Sequence, residues 1–145
     1  MNLQREPLLT PIRVMFFDTD AGGVVHNIAY LRFIETARTL LAMKYGLDWE
    51  CMKKTSIFPV VLRTEIEYKK SALLGDLLEI ESSLGEASAA RFHCHFKIYR
   101  PTDGALIVTS EQVLAFVKMP EAKVQRLPKG FPDPFFPQVG SAIID

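Results

Sequence analysis

Along this chain of 145 residues, the spacing of apolar residues changes from the period of a strand to the period of a helix. Over residues 11–17 apolar and polar positions alternate, which predicts a β-strand. Over residues 27–45 the apolar positions recur three or four apart, as on one face of a helix. The residues of this predicted helical face are Tyr30, Phe33, Ile34, Ala37, Leu41 and Tyr45. His26 or Asn27 stands where an N-cap belongs, and Gly46 follows the predicted helix end.

Four later segments alternate as strands do, and they cover residues 58–68, 76–84, 91–100 and 105–117. The turns between them are short, which favours antiparallel pairing. A single long helix with an apolar face must bury that face, and the sheet is the available partner. The sequence therefore predicts an α+β hotdog fold, in which a five-stranded antiparallel sheet wraps around one long central helix.

The predicted sheet and helix form a single domain, residues 1–145, with a C-terminal arm from about residue 119. Five of the nine prolines lie in this arm, and proline cannot donate a backbone hydrogen bond, so we expect an extended segment. A sheet with one covered face still has exposed edge strands, and such edges invite pairing. We therefore expect a homodimer or homotetramer.

Composition and charge narrow the class of protein. The formal net charge is zero, which argues against a partner made of nucleic acid. No apolar run approaches the roughly 20 residues of a membrane-spanning helix, so no integral membrane association is expected. The chain has two cysteines, Cys51 and Cys94, without CxxC spacing, and no signal-peptide core, so a cytoplasmic location and inert thiols are expected.

Polar residues are concentrated between the first strand and the helix, in the stretch FFDTDAGGVVHNIAY at residues 16–30. A strand-to-helix turn accounts for the glycines, for a capping residue and for Asp18 as an acceptor from backbone amides. It accounts less well for Asp20, a second acid beside an apolar pair. A carboxylate near a helix start is a candidate base or nucleophile, although structural carboxylates also occupy such positions. The free N–H groups of the helix start can stabilise an oxyanion.

The same stretch resembles the signature of the 4-hydroxybenzoyl-CoA thioesterase family of hotdog enzymes, in particular the acyl-CoA thioesterases associated with the Tol-Pal system. That pattern reads D-x-D-x-x-G-x-V, followed by a helix with an aromatic residue near its start. Its positions are held here by Asp18, Thr19, Asp20, Gly23, Val25 and Tyr30. Residues 35–38, 68–72 and 75–76 also resemble the family, and the resemblance covers about residues 11–117.

The resemblance implies that Asp20 is the catalytic carboxylate and that a backbone N–H near His26 or Asn27 polarises the thioester carbonyl. Gly23, Val24 and Tyr30 join these two as oxyanion or substrate-binding residues. Members of the Tol-Pal branch tend to have Tyr-His where this chain has His26 and Asn27, so their histidine position is held by asparagine. His26 is accordingly interpreted as a cap or surface residue as well as a possible acid or base. No cofactor or metal is implied, because coenzyme A is part of the substrate.

Cations that could contact the phosphates of coenzyme A are Lys69, Lys70 and Arg91, although scattered surface cations are the alternative. The predicted activity is hydrolysis of an aromatic or a short- to medium-chain acyl-CoA, with an aspartate as nucleophile or general base. The alternatives are a hotdog hydratase or dehydratase acting on acyl thioesters, for which His26 would serve, and a non-catalytic acyl-CoA-binding protein.

His93 and His95 share one face of a predicted strand, which is the beginning of a zinc site. Arg91 and Lys97 share that face, and no third ligand is evident along the strand. The sequence therefore predicts a polar sheet face and no metal.

Overall fold

The computed structural model describes residues 6–127 and 130–132. Within these residues, six strands and two helices follow in the order β1 (Leu8–Arg13), α1 (Asn27–Lys44), α2 (Trp49–Thr55), β2 (Ile57–Tyr68), β3 (Leu77–Ala87), β4 (Phe92–Arg100), β5 (Ala105–Lys118) and β6 (Lys123–Gln125). Neither of the helices in this part of the chain is long and apolar enough to cross a lipid bilayer.

The strands form one antiparallel sheet in the order β1-β3-β4-β5-β2, so β1 and β2 lie at its two edges. The short strand β6 also pairs with β5, on the side of β4 and beyond the point where β4 begins. Helix α1 covers one face of the sheet and contributes most of its apolar residues to the same core as the inward side chains of the strands. This arrangement confirms the predicted α+β hotdog fold.

The core lies between α1 and the inner face of the sheet. All six residues of the predicted helical face are buried, from 0% exposed at Ile34 to 7% at Tyr45. They meet inward strand residues such as Leu78, Phe96 and Ile98, all at most 1% exposed. Because each such side chain contributes about 1.5–3 kcal/mol when removed from water, this contact holds the start of α1 against the sheet.

The first strand differs from the prediction, because it covers Leu8–Arg13 and not residues 11–17. Phe16 and Phe17 instead begin a 3-10 turn that ends at Asp18, and both rings are 80% exposed. The turn forms because the buried Asp18 carboxylate accepts the Met15 N–H at 2.8 Å, which bends the chain out of the strand. Alternation in sequence does not reveal this bend.

Two further elements were not predicted. Helix α2 has seven residues, too few to show a helical period, and it is capped by Asp48, whose side chain accepts the Cys51 N–H at 2.9 Å. Strand β6 lies inside the predicted extended arm. Phe131 then packs its ring 5.2 Å from that of Phe92, so the arm contacts the core. The rest of the arm, residues 128–129 and 133–145, lies outside the described residues.

Candidate active site

The carboxylate of Asp18 holds the turn that leads into α1. Besides the bond from Met15, its Oδ1 lies 3.4 Å from Nη2 of Arg32 on α1. The Asp18 carbonyl also accepts the N–H of His26 at 2.8 Å, which ties the turn to the helix start. Asp18 thus accepts a backbone amide bond, as predicted. Its ion pair with Arg32 was not predicted, since nothing in the sequence distinguishes Arg32 from other polar residues of the helix.

Asp20 lies on the surface of a small hairpin-like loop. Thr19 and Val25 form an antiparallel bridge across this loop, and the Asp20 N–H donates to the Val24 carbonyl at 2.9 Å. Gly23 closes the loop with φ of 78°, a conformation that favours glycine. One carboxylate oxygen of Asp20, Oδ1, accepts the Gly22 N–H at 2.8 Å. Its other oxygen has no hydrogen-bond partner among the described residues, so a nucleophilic or basic atom remains accessible.

His26 is the N-cap of α1, which agrees with one of its two interpretations. Its Nδ1 accepts the Ile28 N–H at 3.1 Å, and its carbonyl accepts the Ala29 N–H at 2.9 Å. A ring nitrogen that accepts a hydrogen bond carries no proton, so this geometry requires a neutral imidazole protonated at Nε2. The N–H of Asn27, the first residue of the helix, has no acceptor within residues 6–127 and 130–132. This donor, at the positive end of the helix dipole, suits a developing oxyanion.

The segment that precedes β3 lies beside the helix start, although it is more than 40 residues away in sequence. The Val25 N–H donates to the Ala72 carbonyl at 2.9 Å, and the Leu74 N–H donates to the Gly23 carbonyl at 3.0 Å. Arg100 on β4 holds the same segment through Asp76, 3.0 Å away. These contacts bring together the two stretches in which the sequence resembles the thioesterase family.

Tyr30 links the helix to this segment. Its ring is 4% exposed, and its hydroxyl oxygen accepts the Ala72 N–H at 3.2 Å. Burial raises the pKa of Tyr30 above its ordinary value, so the hydroxyl stays protonated at neutral pH. The ring also contacts Tyr68, with 5.7 Å between the centroids. Tyr30 therefore forms the floor of the site.

A cleft of about 200 Å³ lies between the helix start and this segment. Its lining residues are Val25, Asn27, Tyr30, Tyr68, Lys69, Lys70 and Ser71. The structure thus places predicted site residues from both stretches around one cleft, and adds Tyr68 and Ser71, to which the sequence assigned no role. Lys69 is engaged by Glu67, whose Oε2 lies 2.7 Å from its Nζ, whereas Lys70 forms no ion pair with any described residue.

Arg91 is not brought to this cleft. It lies in the turn between β3 and β4, at the opposite end of β3 from the segment that lines the cleft. The 11 residues of β3 span about 35 Å, too far for a side chain to reach. Within one chain, Arg91 therefore lies apart from Lys69 and Lys70, and its contact with coenzyme A remains a prediction.

The outer face of the sheet also differs from the prediction. His93 and His95 share that face as predicted, but two carboxylates, Glu86 and Glu111, approach them from the neighbouring strands β3 and β5. The expectation that no third ligand accompanies the histidines is therefore wrong. The strand sequence around the histidines contains no acid, so the sequence had no local signal for these partners.

Two remaining features lie away from the helix start. Burial raises the pKa of the Cys94 thiol to about 12, which agrees with the predicted inert thiol. A larger groove of about 560 Å³ opens between the second half of α1, α2 and the start of β2, with Trp49 and Phe58 in its lining. Neither feature includes a residue of the stretch at residues 16–30.

Comparison with known proteins shows which proteins this chain resembles. A protein named acyl-CoA thioester hydrolase YbgC, from Escherichia coli, is 29% identical over 119 residues, which are 82% of this chain and 88% of that protein. A probable thioesterase from Bartonella henselae superposes with a TM-score of 0.78 at 28% identity, covering 84% of this chain and 99% of the other. A DHNA-CoA thioesterase from Staphylococcus aureus superposes with a TM-score of 0.78 at 27% identity, covering 88% and 85%.

The sequence pattern of the thioesterase-like superfamily matches residues 14–135 of this chain. The matched region begins just before the turn held by Asp18, includes the cleft and extends through all the later strands. The resemblance first seen at the helix start therefore extends over both helices and all strands after β1, and this chain belongs to the thioesterase-like superfamily.

Proposed function

We propose that this chain hydrolyses acyl-CoA thioesters to a free acid and coenzyme A. The observation that carries the proposal is the cleft at the start of α1. It combines the unbonded N–H of Asn27 with two lysines, and the exposed carboxylate of Asp20 lies in the adjoining loop. The names of the relatives from Escherichia coli and Staphylococcus aureus, which refer to hydrolysis of coenzyme A thioesters, support the same class of reaction.

In the proposed mechanism, the thioester carbonyl oxygen accepts the Asn27 N–H, which stabilises negative charge as a tetrahedral centre forms. Asp20 then acts by one of two routes. As a nucleophile, its free oxygen bonds to the carbonyl carbon, the C–S bond breaks, and coenzyme A leaves as a thiolate. Water then cleaves the mixed anhydride and restores Asp20, and the proton that this water releases is taken up by the thiolate. As a base, Asp20 takes a proton from water, whose oxygen attacks the same carbon; the C–S bond then breaks, and the leaving thiolate takes the proton from Asp20. Both routes consume one water and need no cofactor or metal.

Lys69 and Lys70 are proposed to bind the phosphates of coenzyme A. Both line the cleft, and the peptide N–H groups of both donate to the Ile107 carbonyl, at 2.8 and 3.2 Å, which fixes their backbone against β5. A phosphate near the cleft would therefore meet two positioned ammonium groups.

A homodimer, or a tetramer built from it, is proposed as the working unit. Strand β2 lies at the edge of the sheet with Val61, Leu62 and Tyr68 between 39% and 50% exposed. Phe16 and Phe17 are exposed beside the candidate site. An unpaired edge of 12 residues and large exposed apolar groups favour association with a second copy.

Light scattering at micromolar concentration should give at least twice the mass of one chain, and a monodisperse monomer would contradict the proposal.

The test of the activity is release of free thiol from a panel of coenzyme A thioesters by the purified chain. The panel contains 4-hydroxybenzoyl-, 1,4-dihydroxy-2-naphthoyl-, butyryl-, hexanoyl- and decanoyl-CoA, because both aromatic and aliphatic acyl groups are proposed. We expect steady-state turnover of at least one of them, with kcat/KM of about 10⁴ M⁻¹s⁻¹ or more.

An enoyl-CoA added to the panel tests the competing hydratase. Hydration removes the conjugated double bond without releasing thiol, so absorbance would fall while the thiol signal stays flat. His26 caps α1 through Nδ1, so only its Nε2 would be available for proton transfer in that reaction. Saturable binding of acyl-CoA without either signal would support the non-catalytic alternative.

A further inference from the structure

Two histidines and two glutamates converge on the outer face of the sheet, away from α1 and the cleft. Nδ1 of His93 lies 3.4 Å from Oε1 of Glu111 and 3.6 Å from Oε2 of Glu86. Nδ1 of His95 lies 3.5 Å from Oε2 of Glu111. His95 and Glu111 are direct cross-strand partners on β4 and β5, so their side chains share this face.

A β-bulge in β3 brings the fourth side chain into this group. Between the positions that pair with Leu84 and Ala87, β4 has only His93, whereas β3 has both Gly85 and Glu86. The additional residue changes the alternation of β3, and the Glu86 carboxylate comes to lie beside the His93 ring. A regular strand would direct Glu86 to the opposite face from His93.

Two details indicate that this group is built for a ligand. Gly85 has no side chain, and a Cβ atom there would overlap the imidazole of His95, so the glycine provides the space in which that ring lies. Nδ1 of His93 is buried and has no hydrogen-bond partner among the described residues, although two carboxylates are near it.

We propose that Glu86, His95 and Glu111 bind one divalent ion of the zinc class, with His93 beside them. Imidazole nitrogens and carboxylate oxygens are zinc ligands, and tetrahedral bonds of about 2.0–2.1 Å place the ligand atoms about 3.3 Å apart. The 3.5 Å between Nδ1 of His95 and Oε2 of Glu111 is close to that spacing. Donor atoms of Glu86, His95 and Glu111 also lie within 4.8 Å of one another.

Such an ion would have a structural role. With three protein ligands, a water molecule would complete the tetrahedron. The ligands come from three neighbouring strands, so the ion would tie β3, β4 and β5 together on the face that no helix covers. Lys97 lies two positions beyond His95 on β4, about 7 Å along the strand, and therefore does not occupy the ion position.

The experiment uses the full chain after treatment with a chelator and dialysis. Zn²⁺ is titrated in competition with a chromophoric chelator, Co²⁺ is added separately to record its absorption, and melting is followed with and without Zn²⁺. We expect one Zn²⁺ per chain, a tetrahedral Co²⁺ spectrum and a higher melting temperature with the ion. His95→Gln and Glu111→Gln should each weaken Zn²⁺ binding by more than about 100-fold, because even indirect partners of a metal contribute 10–100-fold.

Glu65→Gln is the matched control, since Glu65 pairs with Glu111 across β2 and β5 but is held by Arg63. It should retain Zn²⁺ affinity. The chelator-treated variants should melt near the chelator-treated parent, which separates loss of the site from loss of the fold. Absence of stoichiometric Zn²⁺ binding, equal affinity in the parent and the His95→Gln chain, or equally tight binding of Mg²⁺ would each overturn the proposal.

Discussion

Replacement of Asp20 by asparagine should lower kcat for acyl-CoA hydrolysis by about 10²–10⁴-fold, the usual effect of losing a positioned acid–base group. The amide oxygen can still accept the Gly22 N–H that the carboxylate accepts at 2.8 Å, so the loop keeps its shape. The substitution removes the charge and the nucleophilic oxygen. KM should change little, because the proposed contacts to coenzyme A come from the lysines of the cleft, whereas Asp20 lies in the adjoining loop. Steady-state kinetics with the best substrate of the thioester panel measures both parameters.

Asp18→Asn is the control for this experiment. Asp18 is 3% exposed, accepts a backbone bond and faces Arg32, so it serves the turn. Its replacement should lower the free energy of unfolding by about 1–3 kcal/mol, while its effect on kcat should be small by comparison. Thermal melting of both variants separates the two effects, since the exposed Asp20 change should shift stability by no more than about 0.5 kcal/mol.

Two outcomes would change the assignment of the carboxylate. An Asp20→Asn enzyme that keeps its turnover, together with a folded but inactive Asp18→Asn enzyme, would move the catalytic role to Asp18. If both variants stay active, the residues before α1 have only a structural role in the turn, and the catalytic group lies elsewhere in the assembly.

Neutralisation of both lysines of the cleft, by Lys69→Gln with Lys70→Gln, should raise KM for acyl-CoA about 100-fold with kcat nearly unchanged. Lys70→Gln alone should have the larger single effect, because Lys69 already donates to Glu67 at 2.7 Å. That bond also lowers the pKa of Glu67. Glu67→Gln should therefore release Lys69 and lower KM.

The KM of the parent should rise with salt, since salt screens exposed charges.

A substrate without the nucleotide distinguishes phosphate binding from a general effect on the cleft. With an acyl-pantetheine thioester, the parent and the double variant should show the same KM. Lys123→Gln, on the short strand β6 away from the cleft, is the matched control and should behave as the parent with both substrates. A KM for acyl-CoA that stays constant in the double variant would contradict the assignment of these lysines.

Local spacing explains which parts of the fold were predictable. The period of three to four residues located α1 within one residue of its observed end, because a helix that covers a sheet must place its apolar residues on one face. Alternation located β2 to β5 for the corresponding reason. It failed at Phe16 and Phe17, because the buried Asp18 carboxylate bends the chain there, and apolar spacing does not report a hydrogen bond.

The residues at the start of α1 show how far sequence alone determined the candidate site. A D-x-D motif, glycines and a capping residue within one short stretch indicated a turn, a helix start and an available carboxylate, because those features depend on neighbouring residues. Tertiary structure alone decided which distant side chains meet them. Tyr68, Lys69 and Lys70 reach Asn27 through the packing of β2 and α1, whereas Arg91 lies at the far end of β3.

Tertiary structure likewise decided which side chains meet on the outer face of the sheet. The sequence placed His93 and His95 on one face but contained no indication of their acidic neighbours. Glu111 meets them through the register of β4 and β5, and Glu86 through one additional residue in β3. Register and bulges arise from the whole sheet, since a shift of one residue reverses which side chains share a face, and no local pattern encodes that choice.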